Sequence, residues 1–388
     1  MRIYLDYNAT SPPAPEVVAT VNRVLGSEFG NASSVHAFGQ RAKAVLDDAR
    51  ARVARLIDAD PSEIVLTSGG TEADNLALRG AAEALDRAGR RKIVITGIEH
   101  EAVLNTVKAL ERHGWAARTL SVPETGVLTP DAFSAAVDRD TAIVSVMHAN
   151  NEVGTIQPIA ELAAIARDHG ALFHTDAVQS VGKIPVSVKQ LGVDALSLSG
   201  HKFGGPKGTG ALWIRRGVRL VSTMTGGRQE RNRRAGTENV PLLAGLGMAA
   251  QLAVAHLDAT ATRVSGLRDR LEGRILDGVP GTAVNGDRNA RVPNTTNISF
   301  DGLEAESLLI ALDLEGVAVS TGSACSSGSL EPSHVLRAMG LPSSRARNSL
   351  RFSLGPATTE EEVDFVAGML PALVARLRRL SRTAAALR

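Results

Sequence analysis

The chain has 388 residues, 44% of them apolar and 22% charged, with a formal net charge of +2. That length supports two or three domains with sizeable cores. The balanced charge gives no case for nucleic acid or an anionic membrane as partner, and aromatic residues are too scarce for base-stacking platforms. The single cysteine, Cys325, excludes an intrachain disulfide and a cysteine-rich zinc site. With no secretory apolar core in Met1–Asp6, the expectation is a soluble cytoplasmic protein.

Tyr4–Pro15 carries Asp6, Asn8, Thr10 and three prolines, so it is predicted to be extended and turn-rich. After the polar loop Phe29–His36, the spacing predicts a helix over Gln40–Ile57 with arginines outward. Ile64–Leu66 reads as a strand running into Thr67-Ser68-Gly69-Gly70-Thr71-Glu72, with Thr71 expected as the helix N-cap. A strand, a glycine pair and a helix start form an anion site of backbone N–H groups; a plain capped turn is the alternative. Next come strand Lys92–Thr96, helix His100–His113, strand Ala142–Val146, helix Ile159–Asp168 and strand Ala171–His174. Such alternation predicts a mostly parallel sheet covered by helices, with ligands at the carboxyl ends of strands. Polar groups gather at those ends: Glu99-His100, Asn150-Asn151-Glu152, Asp176 with Gln179, and Ser199-Gly200-His201-Lys202.

The stretch Asp194–Gly210 is the centre of this pattern. Ala195, Leu196 and Leu198 alternate as a strand, which ends at Lys202 before a glycine-rich bend and a second strand, Ala211–Ile214. On these residues alone Lys202 is either a solvated loop lysine or a crevice lysine whose lowered pKa makes it a nucleophile. A nucleotide-binding loop fails, because no Gly-Lys-Ser/Thr opens a helix. The apolar run Val240–Leu257 reads as a buried helix rather than a membrane span. From Val264 the texture shifts to a helix (Leu267–Leu276), short strands near Val284 and Asn297–Phe300, a helix (Ala305–Leu312), and Val317–Ser320 leading into a small, polar segment around Cys325. That is a smaller α+β domain, with which the N-terminal strand is expected to pack. Pro371–Arg388 reads as an Arg-rich amphipathic helix with a solvated outer face.

Taken together, these stretches resemble the cysteine desulfurases, pyridoxal-phosphate enzymes of the class V aminotransferase, fold-type I group. The resemblance rests on Tyr4-Leu5-Asp6, Gly30-Asn31-Ala32-Ser33-Ser34, Thr67 through Asn75, Ala149 through Gly154, His174 through Gln179 and Gly236-Thr237-Glu238-Asn239. It continues through Gly322-Ser323-Ala324-Cys325, Pro332 through Leu336 and Arg351-Phe352-Ser353. Tyr7 stands where asparagine is common and Ser326 where threonine is frequent. The cysteine loop is the long kind of the group-I enzymes that feed iron–sulfur assembly.

The resemblance implies a large cofactor-binding domain over 12–258, with a seven-stranded type of sheet. A small domain of 1–11 with 259–388 would carry the cysteine loop, about 321–332. Lys202 would form the Schiff base with pyridoxal phosphate and move the Cα proton. Asp176 would face the pyridine nitrogen, because a ring that stores electrons needs a carboxylate there. Gln179 would bind the ring oxygen, and His100 would stack on the ring and shuttle a proton. Gly70, Thr71, Ser199 and His201 would hold the phosphate, with Thr237 reaching it from the other subunit of a homodimer; a helix N-cap is the alternative for Thr237. Arg351 would grip the carboxylate of L-cysteine, assisted by Asn151. Cys325 would take the sulfur as a persulfide, releasing alanine, and pass it to an acceptor such as an iron–sulfur scaffold or a tRNA-thiolation carrier. No intrinsic metal is expected, though Cys325 could meet a transferred cluster. Rival readings are a selenocysteine lyase, a small-amino-acid aminotransferase, a non-catalytic sulfur carrier, and a nucleic-acid binder built on Arg228, Arg231, Arg233 and Arg234.

Overall fold

The structure, a computed structural model, describes residues 2–86, 89–322 and 332–386. Strand β1 (Ile3–Tyr4) precedes helices α1 (Pro15–Ser27) and α2 (Ala37–Leu56). Strands and helices then alternate: β2 (Ile64–Thr67), α3 (Gly70–Leu85), β3 (Lys92–Thr96), α4 (Glu101–Glu111), β4 (Ala116–Leu120), α5 (Pro130–Ser134), β5 (Thr141–Ser145), α6 (Ile159–Asp168), β6 (Leu172–Asp176), α7 (Val188–Leu191), β7 (Ala195–Ser199) and β8 (Gly210–Ile214). After the turn α8 (Gln229–Asn232) comes the long α9 (Val240–Gly278). The described chain ends with β9 (Thr282–Asn285), β10 (Thr295–Phe300), α10 (Ala305–Leu314), β11 (Val317–Ala318), α11 (His334–Ala338), α12 (Ser343–Arg347), β12 (Ser349–Ser353) and α13 (Glu360–Ala386).

The large sheet has seven strands in the order β2-β8-β7-β6-β5-β3-β4. All neighbours run parallel except at β8, which is antiparallel to both β7 and β2. The link Gly200–Thr209 is too short for a parallel crossover, so the chain must double back. The sequence reading omitted β4, and the reason is physical. This strand lies at the sheet edge with most of Ala116–Leu120 facing solvent, so it carries no apolar run.

At the opposite edge, β2 has outward backbone groups that no strand pairs. Arg50 Nη1 donates to the Ile64 carbonyl at 2.9 Å, and the Leu66 N–H donates to Glu230 Oε2 at 2.9 Å. Arg50 and Glu230 close the arrangement as a buried bidentate ion pair at 2.6 and 2.8 Å. This anchorage accompanies an unusual backbone: Glu230, Arg231 and Asn232 all have positive φ, at a cost of about 1–2 kcal/mol per residue. The arginines of this segment are spent within the chain. Arg231 and Arg233 donate to the Ser62 carbonyl, and Arg234 pairs with Glu72 at 2.7 Å.

One buried apolar cluster lies around the sheet and includes Val24, Leu66, Phe133, Phe173 and Leu246, together with Val335, Leu336 and Met339 from late in the chain. A second gathers Ile3, Leu5, Leu271, Phe300, Leu308, Phe352 and Leu370. The N-terminal strand packs as expected, with β1 pairing parallel to β11 and Ile3 and Leu5 buried in the second cluster. The three-stranded antiparallel sheet β12-β10-β9 completes that region. Two separate helices, Val240–Leu257 and Leu267–Leu276, were expected where α9 runs unbroken. The stretch between them, Asp258–Gly266, contains no proline and a single glycine, which costs a helix interior only about 1 kcal/mol and does not stop it. The residue 258/259 boundary therefore falls inside one continuous strut. Its length and apolar composition would suffice to cross a membrane, but its buried residues pack into both clusters, with Leu243 and Leu246 in the first and Leu267 and Leu271 in the second. The tail helix α13 begins at Glu360, well before Pro371, which it accommodates internally.

Candidate active site

The parallel strands deliver their carboxyl ends to one rim, and the polar residues there meet the N-terminal segment. β7 ends at Ser199 and continues as a single 3₁₀ turn, Gly200–Lys202. Lys202 Nζ donates to the backbone carbonyls of Asn8 and Ala9 at 2.6 and 2.9 Å. Among the described residues, no carboxylate forms an ion pair with it. Burial, then the Arg351 cation, lower its pKa to about 8, against the opposing pull of Asp176 and Asp6. Lys202 therefore has the environment of an amine that is readily neutral, which the crevice reading of the sequence expected.

This tuning has a stability consequence. With a folded value of about 8 against 10.5 unfolded, the buried ammonium costs the fold its full penalty below pH 8. The penalty fades as pH rises from 8 to 10.5, because there the unfolded chain holds the proton and the folded chain does not. Lys202→Met is accordingly expected to raise the stability of the cofactor-free protein at pH 7 by up to about 3 kcal/mol. Melting curves of both proteins should converge towards pH 10.5, and a Lys202→Met protein no more stable at pH 7 would contradict this environment.

Asp176 ends β6 and is buried; its Oδ1 accepts the Val178 N–H at 2.8 Å. Burial raises its pKa, while the nearby His100 and Lys202 favour the charged form. His100 is the N-cap of α4, its Nδ1 accepting the Ala102 N–H at 3.1 Å. The neutral ring therefore carries its proton on Nε2.

At the end of β2, helix α3 starts two residues earlier than expected. Gly70 is its first residue and Gly69 the cap, with no side-chain cap, so Thr71 is the exposed second residue rather than the N-cap. Gly69 takes φ +156° with an extended ψ, a conformation open essentially to glycine alone, which outcompetes the capping preference of Thr71. A Cβ at Gly70 would stand 2.7 Å from Val178 Cγ2 and 3.6 Å from Ser199 Cβ, so the helix start, β6 and β7 meet there. His201 Nδ1 lies 3.1 Å from Thr10 Oγ1, and burial with neighbouring lysines lowers its pKa to about 4.

Gln179 is buried; its Nε2 donates to the Asn8 carbonyl at 3.0 Å, the same oxygen that receives Lys202. Arg351, from β12, is buried with Nη2 on Asp6 at 2.6 Å and Nη1 on the Asn151 carbonyl at 2.9 Å. Its Nε is buried without a hydrogen-bond partner. A ligand carboxylate reaching this guanidinium would exchange with the Asp6 carboxylate.

Thr237 lies apart from these groups, on the exposed segment before α9. The capping alternative for it is overturned: Asn239 Oδ1 accepts the Leu242 N–H at 3.2 Å and caps the helix. Cys325 lies outside the described residues. The chain on either side of it approaches Glu152: Ser333 Oγ donates to Glu152 Oε2 at 2.5 Å, and a Cβ at Gly322 would stand 2.9 Å from the same oxygen.

Sequence reasoning missed the residue that joins these parts. Asn8 donates through Nδ2 to the Asn151 carbonyl and Thr295 Oγ1, and through its backbone N–H to Ser353 Oγ. It accepts from Lys183, Asn294, Gln179 and Lys202. Its place in the polar, turn-rich Tyr4–Pro15 segment, two residues after Tyr4-Leu5-Asp6, was the one available signal.

The donor set fits pyridoxal phosphate. There is an amine of lowered pKa, a buried carboxylate beside it for a ring nitrogen, and an uncapped helix start backed by Ser199 for a phosphate. The fold is that of the fold-type I pyridoxal-phosphate enzymes. The chain matches the class-V aminotransferase family over residues 3–366 and belongs to it. It is 50% identical to the cysteine desulfurase of Trichormus azollae over 379 residues, covering 98% of this chain and 94% of that one. Among solved structures it resembles a NifS-like protein with TM-score 0.91 and 37% identity, over 97% of this chain and all of that one. It also resembles SspA in complex with cysteine, with TM-score 0.82 and 34% identity, over 92% and 100% of the two chains.

Proposed function

We propose that this protein is a pyridoxal-phosphate-dependent cysteine desulfurase that converts L-cysteine to L-alanine and carries the sulfur as a persulfide on Cys325. The observation that carries the reading is that Arg351 and Asp176 both lie close enough to Lys202 to bias its amine, whose Nζ shares the Asn8 carbonyl with Gln179. Bound pyridoxal phosphate would supply an electron sink for a carbanion at the substrate Cα. Asp176 would hold the ring nitrogen, Gln179 the ring oxygen, His100 the ring face, and Gly70, Thr71, Ser199 and His201 the phosphate. Arg351, with Asn151, would fix the substrate carboxylate. Lys202 Nζ would take the Cα proton and return it. The Cys325 thiolate would attack the substrate sulfur, so that the Cβ–S bond breaks as an S–S bond forms; L-cysteine and the enzyme thiol become L-alanine and the enzyme persulfide.

The protein in this reading is a cytoplasmic homodimer, and exposed Thr237 serves the phosphate of the other copy. The exposed apolar side chains Val18, Leu25, Phe29, Val35 and Phe38 would suit such an interface. The sulfur would pass to an acceptor protein such as an iron–sulfur scaffold. The cofactor-loaded protein given L-cysteine and dithiothreitol is expected to release sulfide and alanine in a 1:1 ratio. Pyruvate in place of alanine, or amino transfer to glyoxylate without sulfide, would overturn the reading.

A further inference from the structure

Lys183 lies in the same cleft as Lys202 and has no role in the chemistry above. Its Nζ donates to Gln179 Oε1 at 2.5 Å and to Asn8 Oδ1 at 2.8 Å, and among the described residues no carboxylate pairs with it. Both acceptors are amide oxygens, so each contact decides which way an amide faces. An ammonium offers only donors, and a neutral amine still offers two N–H groups. With its oxygen taken, Gln179 must turn its NH₂ the other way, where Nε2 donates to the Asn8 carbonyl that also receives Lys202 Nζ. The Asn8 amide is fixed by the same contact, with Oδ1 towards Lys183 and Asn294 and Nδ2 towards the Asn151 carbonyl and Thr295. Without Lys183, either end of the Gln179 amide could face the cleft.

We propose that Lys183 is a positioning residue: it holds the oxygen ends of Gln179 and Asn8 and thereby presents the Gln179 N–H to the ring oxygen of the cofactor beside Lys202. This rests on the cofactor reading given above. Burial, then the Lys202 and Arg351 cations, lower the Lys183 pKa well below the usual lysine value, so the position is kept against an electrostatic cost. The other charged or titratable groups around Lys202 are Asp176, Asp6 and His201.

The test is the pH midpoint of the visible cofactor absorbance in the holoenzyme, with melting curves as a fold control. A donor on the ring oxygen disfavours protonation of the chromophore, so its loss raises the midpoint. Lys183→Met is expected to raise it by about one unit, a roughly tenfold gain in proton affinity. Lys183→Arg, which keeps the donors, should stay within about 0.3 unit. In a Gln179→Ala background the Lys183→Met shift should fall below about a third of its size, because the two act as one. If Lys183→Met does not fold, Lys183→Leu, which also lacks a donor, carries the same comparison. A wild-type midpoint in the variants, or an equal shift with and without Gln179, overturns the proposal while the cofactor reading stands. A wild-type protein that takes up no pyridoxal phosphate removes both.

Discussion

Lys202→Ala is expected to lower alanine formation from L-cysteine by at least about 10³-fold. Two functions are lost at once. A positioned proton-transfer group contributes roughly 10²–10⁴-fold, and the covalent attachment point of the cofactor disappears with the same amine. The surroundings of Lys202 are arranged for both. The strand β7 and the turn Gly200–Lys202 deliver the side chain to the rim of the sheet. Two backbone carbonyls hold Nζ, and burial, then Arg351, bring its pKa to about 8. No other lysine stands in the same relation to Asp176; Lys183 is tied to Gln179 and Asn8. The variant should still bind pyridoxal phosphate through the helix start of α3, so hydride reduction should attach the cofactor to the wild-type chain and leave the variant unlabelled. A small primary amine in the buffer should restore part of the proton transfer, with the restored rate rising with the amine concentration. A variant within tenfold of wild-type activity would remove Lys202 from the mechanism.

The parts of this site that were legible in the sequence are those encoded locally. Lys202, Asp176, Ser199 and the Gly69–Gly70 pair each follow a short apolar strand, and the sheet topology alone then brings them to one rim. The missed parts are encoded by contacts between distant residues. Asn8 bonds to Ser353, Thr295, Asn151 and Lys183, and no window of sequence contains such a pattern. The ion pair of Arg351 with Asp6 joins the two ends of the chain in the same way. Local rules also failed where two preferences competed: Thr71 is a good cap, but the turn into α3 needs the backbone freedom of Gly69 at that place. In α9, a run of polar residues imitates a loop, yet it only marks where the helix crosses solvent between two cores.

Cys325→Ala separates the desulfurase from its nearest rivals, and the expected loss of sulfide and alanine formation is up to about 10⁶-fold, the order found on removing an attacking nucleophile. The substrate sulfur must be taken as a formally neutral atom, and a thiolate is the group able to accept it. The chain is committed to one such group, since Cys325 is its only cysteine. The neighbouring segments are also well placed: Gly322 and Ser333 both lie against Glu152, next to the Asn151 carbonyl that receives Arg351. The variant should load cofactor and keep the wild-type pH midpoint, because Cys325 is not among the residues proposed to hold the cofactor. Cys325→Ser should behave like Cys325→Ala, since a hydroxyl is not deprotonated at neutral pH. If Cys325→Ala kept full alanine formation, sulfur would be leaving without a protein acceptor and a lyase would be the correct account. Loss of both cofactor binding and activity would instead make Cys325 a structural residue, so absorbance and product must be read on the same sample.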